Sequence, residues 1–107
     1  MTVVTTHVLD TARGLPATGV QVVLEAYSQD GWLPLATAQT DADGRAGDLA
    51  EASTGPGLHR LVFATGDYLG EGAFFPEVTV AFQVAGQERL HVPLLLSPFG
   101  YSTYRGS

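Results

Sequence analysis

Apolar and polar residues alternate with a period of two along several short stretches of this chain. The cleanest runs from Val20 to Tyr27, where Val20, Val22, Leu24 and Ala26 fall on one side and Gln21, Glu25 and Tyr27 on the other. Successive strand side chains point to opposite faces, so this pattern predicts a strand with one face buried. Val78 to Val84 repeats it, with Val78, Val80, Phe82 and Val84 sharing a face. Thr2 to Leu9 is rich in β-branched residues and predicts a first strand. Further strands are expected over Trp32–Thr40, Leu58–Thr65 and Arg89–Leu96. Pro34 lies inside the first of these and argues for a sheet edge or a bulge, because proline has no N–H to give to a ladder.

Turn chemistry separates these runs. Gly14-Leu15-Pro16 breaks the chain after the first strand, Ser28-Gln29-Asp30-Gly31 predicts a hairpin, Asp43-Gly44 a tight turn, and Ala85-Gly86-Gln87-Glu88 another reversal. Only Gly66 to Gly72 suits a helical turn. The tail from Ser97 carries Phe99, Tyr101 and Tyr104, and these aromatics are expected to pack it in place, since disordered tails are poor in them. About seven short strands with almost no helix define an all-β class, a two-sheet sandwich with one short helix. No repeat, linker or low-complexity segment divides residues 1–107, so a single domain is expected.

Composition narrows the function. Five basic residues, all arginine, stand against eleven acidic ones for a net charge of -6. Such a chain lacks the basic stripe that binds nucleic acid, and no nucleic-acid partner is expected. There is no cysteine, which removes disulfides, thiolate catalysis and cysteine-rich zinc sites. No stretch approaches the length of a membrane helix, so no membrane partner is expected. Met1 to His7 lacks the basic flank and apolar run of a signal peptide, and the expected location is cytoplasmic.

Few residues are left to carry chemistry. His7 lies in the first strand and His91 in the last long one. If Leu90, Val92, Leu94 and Leu96 face the core, alternation puts His91 on the opposite face with Arg89 and Pro93. Each could be an ordinary half-exposed strand histidine. Together they could form an acid/base pair, because imidazole exchanges protons near neutral pH and two in one pocket resist carrying two charges. A zinc site would need a third, acidic ligand that nothing in the sequence supplies. His59, in the middle of a strand, reads as structural. Arg45, directly after Asp43-Gly44, is either a solvated surface charge or a fixed cation able to hold an oxygen on which negative charge develops. No Gly-x-Ser-x-Gly elbow and no phosphate-binding glycine loop is present.

Several motifs together resemble one family. Thr6-His7-Val8-Leu9-Asp10 with Gly14-Leu15-Pro16-Ala17 is similar to the opening of the 5-hydroxyisourate hydrolases, the transthyretin-like enzymes of urate breakdown. Thr40-Asp41-Ala42-Asp43-Gly44-Arg45 resembles their second signature, and Phe74-Phe75-Pro76-Glu77 a third. The end of the chain is the most specific: His91-Val92-Pro93-Leu94-Leu95-Leu96-Ser97-Pro98, then a closing Tyr104-Arg105-Gly106-Ser107. One departure is Leu90, where relatives often carry tyrosine or another polar residue.

The resemblance implies a transthyretin-like sandwich assembled as a homotetramer, a dimer of dimers, with active sites in a channel between the dimers. It implies hydrolysis of the small-molecule substrate 5-hydroxyisourate to 2-oxo-4-hydroxy-4-carboxy-5-ureidoimidazoline, with neither metal nor cofactor. His7, Arg45, His91 and Ser107 match the catalytic positions, and His7, Arg45 and Tyr104 the substrate-binding ones. Ser107 is expected to bond to a histidine or to the attacking water. A transthyretin-type carrier of a small aromatic ligand, without chemistry, is the competing reading, and a structural or adhesion module a third, since fold alone does not determine function.

Overall fold

The period-two pattern is realised as eleven short strands rather than about seven, because two of the expected long strands are interrupted and further short strands form at Leu15–Pro16, Ser53–Thr54 and Gly100–Thr103. The computed structural model describes every residue, Met1–Ser107. In chain order the strands are β1 (Thr2–Thr5), β2 (Val8–Asp10), β3 (Leu15–Pro16), β4 (Gln21–Ser28), β5 (Gly31–Gln39), β6 (Ser53–Thr54), β7 (Gly57–Phe63), β8 (Val78–Val84), β9 (Arg89–His91), β10 (Leu94–Ser97) and β11 (Gly100–Thr103). A 3-10 turn, Gly47–Glu51, precedes β6, and helix α1 (Thr65–Leu69) follows β7. The helix therefore starts earlier and ends sooner than the Gly66–Gly72 expected from the sequence.

One layer has the order β5-β4-β7-β8 and is antiparallel throughout. Pro34 meets both expectations there. It lies on the edge strand β5, and the register against β4 shifts between Leu24 and Glu25, so that Glu25 faces Pro34. The other layer consists of two ladders, β6-β1-β9 and β11-β10-β2-β3. They run on from one another: β1 pairs in parallel with β9, β2 with β10, in the same register on either side of the interruption. The Val92 N–H donates to the Thr5 carbonyl and the Leu94 N–H to the His7 carbonyl, which carries the pairing across it.

The break falls where one bond of the ladder is missing. In an unbroken parallel ladder the Val92 carbonyl would accept the His7 N–H. It accepts the buried Thr6 hydroxyl instead, at 2.6 Å. The expected strands Thr2–Leu9 and Arg89–Leu96 are thus each split, at Thr6-His7 and at Val92-Pro93.

Between the layers lies one cluster of buried apolar side chains. Val4, Val8, Val92, Leu94 and Leu96 come from one sheet, and Val22, Leu24, Leu61, Phe63 and Val78 from the other. Alternation then leaves Thr5, His7 and His91 half-buried on the opposite, outward face of their sheet. Tyr68 of α1 ties the helix to the end of β2 by donating its hydroxyl to Asp10 Oδ2 at 2.7 Å. His59 is structural, as expected. It is buried, its Nδ1–H donates to the Gly57 carbonyl at 2.9 Å, and its Nε2 accepts the Thr54 hydroxyl at 2.8 Å.

The tail is held only in part as expected. Phe99 and Tyr104 are 80% and 56% exposed, whereas Tyr101 packs edge-to-face on Phe75 with ring centroids 5.2 Å apart. Backbone pairing adds to this: β11 forms a hairpin with β10, and Gly106 forms an isolated bridge with His91.

Candidate functional site

A row of backbone pairings crosses the outward face of the second sheet and collects residues from four distant parts of the chain. Gly106 pairs with His91, His91 with Thr5, and two residues further along the same strand His7 pairs with Arg45. Neighbouring strands lie about 4.8 Å apart, so the row brings both imidazoles and the guanidinium into one neighbourhood.

Arg45 owes its place to a compact loop. Asp41 Oδ1 accepts the N–H groups of Asp43 and Arg45, at 2.9 and 3.1 Å, while the Asp41 N–H donates to the Arg45 carbonyl. These donors, the Arg45 N–H first and then that of Asp43, hold the Asp41 carboxyl below its usual pKa. Gly44 sits inside the loop at φ +79, a left-handed conformation that L side chains rarely adopt. Its carbonyl accepts the Val8 N–H at 2.8 Å, and a Cβ there would run into the Val8 carbonyl and come 3.2 Å from the His7 ring. Glycine is what lets the loop lie flat against β2, with Arg45 beside His7.

The His7 ring is anchored by that same loop. Its Nε2 lies 2.7 Å from the Asp43 carbonyl oxygen. A carbonyl only accepts, so Nε2 carries the proton and Nδ1 keeps the lone pair in the neutral ring. His91 faces Thr5, with Nδ1 2.9 Å from Oγ1. Burial pushes the His91 pKa below the ordinary imidazole value of 6.5, and the charges of Arg45 and His7 push it further down, against an opposing contribution from the Thr5 backbone. His91 is therefore kept neutral, the form in which imidazole acts as a base.

Of the residues singled out from the sequence, His7, Arg45 and His91 come together. Ser107 is exposed and makes no hydrogen bond to a histidine within the single chain, while Gly106 ties the tail to His91 through a 2.8 Å bond from its N–H to the His91 carbonyl. Tyr104 lies in a cleft of about 340 Å³ between β8 and the tail, together with Phe82, Leu90 and Val92. Leu90 faces this cleft rather than the imidazole face, so its departure from the family pattern leaves the row untouched. Neither histidine nor Arg45 lines that cleft; the row lies on an open sheet face. No group of three or more His, Cys, Asp or Glu side chains is arranged to hold a metal ion. Thr5 went unnoticed in the sequence, and Asp41 and Gly106 entered only as members of motifs, because their contributions depend on contacts that only the folded chain makes.

A sandwich of this topology, with two imidazoles and a guanidinium on one outer sheet face, defines a transthyretin-like fold equipped for proton transfer. The HIUase/Transthyretin family model matches residues 4–106, and the chain belongs to that family. A 5-hydroxyisourate hydrolase of Salmonella dublin is 47% identical over 110 residues, covering 98% of this chain and 81% of the relative. The solved 5-hydroxyisourate hydrolase of Klebsiella pneumoniae superposes with a TM-score of 0.87 at 34% identity over the full length of both chains. Sea bream transthyretin in complex with thyroxine superposes with a TM-score of 0.88 at 30% identity, covering 97% of this chain and 94% of that one. The backbone is thus shared with a 5-hydroxyisourate hydrolase and with a thyroxine-bound transthyretin alike.

Proposed function

We propose that this chain is a 5-hydroxyisourate hydrolase of urate catabolism, opening the six-membered ring of 5-hydroxyisourate to give 2-oxo-4-hydroxy-4-carboxy-5-ureidoimidazoline. The observation that carries this reading is the convergence of His7, Arg45 and His91 on one sheet face, in a chain 47% identical to a curated hydrolase. Water adds to the cyclic amide carbonyl while one imidazole takes its proton. Arg45 holds the carbonyl oxygen as it becomes negative. The C–N bond then breaks, and the leaving nitrogen is protonated. A positioned base contributes roughly 10²–10⁴-fold and an oxyanion donor on the order of 10²–10³-fold.

The working form in this reading is a cytoplasmic homotetramer of single-domain chains, a dimer of dimers. Its support is the open face on which the row lies: one chain does not enclose it, and water exclusion there requires a second surface. Tyr104 and Ser107, both exposed in the single chain, would then complete the substrate pocket within the assembly.

The test is a rapid-mixing ultraviolet assay on 5-hydroxyisourate generated by uricase. The chain should accelerate ring opening over the spontaneous rate, and His91→Ala should lower turnover about 10²–10⁴-fold with fold and assembly intact. A chain that leaves the spontaneous rate unchanged is a carrier instead.

A further inference from the structure

Each imidazole on the row has two nitrogens, and only the one holding a lone pair can accept a proton from water. We propose that Thr5 is a positioning residue whose hydroxyl locks His91 in the Nδ1–H tautomer, so that Nε2 is the nitrogen offered to the attacking water. The inference rests on the hydrolase reading for its catalytic consequence, though not for the tautomer itself.

The Thr5 hydroxyl has a single proton to give. Oγ1 has two polar neighbours: the Leu90 carbonyl at 3.4 Å and His91 Nδ1 at 2.9 Å. The carbonyl accepts only, so the Leu90 contact is made only by donation of the hydroxyl proton; with that proton given to Leu90, Oγ1 accepts and His91 Nδ1 donates, which is the arrangement in which both neighbours of Oγ1 are satisfied. The neutral ring consequently holds its lone pair on Nε2. A free histidine side chain favours the opposite tautomer, with the proton on Nε2, so Thr5 selects the less common form.

A half-turn of the ring about its Cβ–Cγ bond would undo this at the loss of the bond to Thr5. Thr5 borders the Nδ1 edge, while the opposite edge lies beside Gly106, where a Cβ would come within 2.6 Å of Cδ2. Flipping would leave the Thr5 oxygen facing a carbon and put Nδ1 beside Gly106, whose N–H is already given to the His91 carbonyl. The ring is held at both edges, with its Cε1–Nε2 end free. The sheet register does the placing, because Thr5 and His91 are direct partners across the parallel β1/β9 pair. His7, anchored through Nε2, offers Nδ1, so the two rings are held in opposite tautomers.

The test uses 15N-labelled full-length protein, with His91 assigned by comparison with His91→Ala, and three forms of residue 5. In the natural protein at neutral pH the His91 shifts should report a protonated Nδ1 and a bare Nε2. Thr5→Val keeps the shape of the side chain and removes the oxygen; it should mix the tautomers and lower kcat about 10–100-fold, as loss of partners that orient a histidine does, with KM little changed. Thr5→Ser should restore both readouts. A wild-type ring protonated on Nε2, or a Thr5→Val protein with an unaltered tautomer, overturns the assignment. An altered tautomer with undiminished kcat overturns the positioning role. If no form of the chain speeds ring opening, the hydrolase reading fails, while the nitrogen shifts still decide which atom carries the proton.

Discussion

At the scale of single residues, the site is shaped by what each imidazole is denied. His91 is half-buried and lies near the charges of Arg45 and His7, and both conditions disfavour its protonated form. A base must be neutral to work, so with His91 as the base of the proposed reaction activity should be retained at neutral pH and lost as pH falls through a value below the ordinary 6.5, which a pH–rate profile checks. Replacing Arg45 with Gln removes one of the charges that oppose protonation. The His91 titration, followed by NMR in the absence of substrate, should move toward higher pH in Arg45→Gln without reaching that of an exposed imidazole, because burial remains the largest cause. An unmoved titration would separate Arg45 electrostatically from His91 and weaken the case for a shared site.

At the scale of elements, the interrupted strands and the Asp41–Arg45 loop account for the site. The Thr6 hydroxyl, by taking the Val92 carbonyl, splits the first strand next to His7. The loop lies against that break, with Gly44 bonded to Val8 and Asp43 to His7. Gly44→Ala forces a side chain into a left-handed backbone and against the Val8 carbonyl. It should cost about 1–3 kcal/mol in urea unfolding and lower kcat/KM as well, since Arg45 and the Asp43 carbonyl that holds His7 shift together. A variant with unchanged stability and activity would show that the loop is not held tightly against β2.

This element scale also separates what was legible from what was not. The alternation in β4 and β8, the bulge at Pro34 and the Asp43-Gly44 turn were readable because each depends on neighbours within a few residues. The splitting of the first and last long strands was not readable, since it arises from a hydroxyl and a carbonyl 86 residues apart. His7, Arg45 and His91 were nominated by their chemistry and by motif. Thr5 was passed over as one more β-branched residue, and the backbone bond by which Gly106 ties the tail to His91 was not anticipated.

At the scale of the whole molecule, the single chain presents its two imidazoles and guanidinium on an open surface, while the cleft that holds Tyr104 lies elsewhere. An enzyme that must shield a reacting carbonyl needs that surface covered. Sedimentation should therefore find a particle of four times the chain mass of 11.3 kDa, and turnover per chain should fall on dilution below the assembly concentration. A fully active monomer would show that one chain shelters its substrate alone.

By itself the sequence determined which segments become strands, where the chain turns, and which side chains are capable of proton transfer, because periodicity, turn residues and imidazole chemistry are local properties. Only the tertiary structure decided which of those side chains meet and which nitrogen each ring offers. Parallel pairing of the first and last long strands, and the bridges from Arg45 and Gly106, bring together groups from the two ends and the middle of the chain; that proximity is set by register across a sheet, which no single stretch of sequence contains.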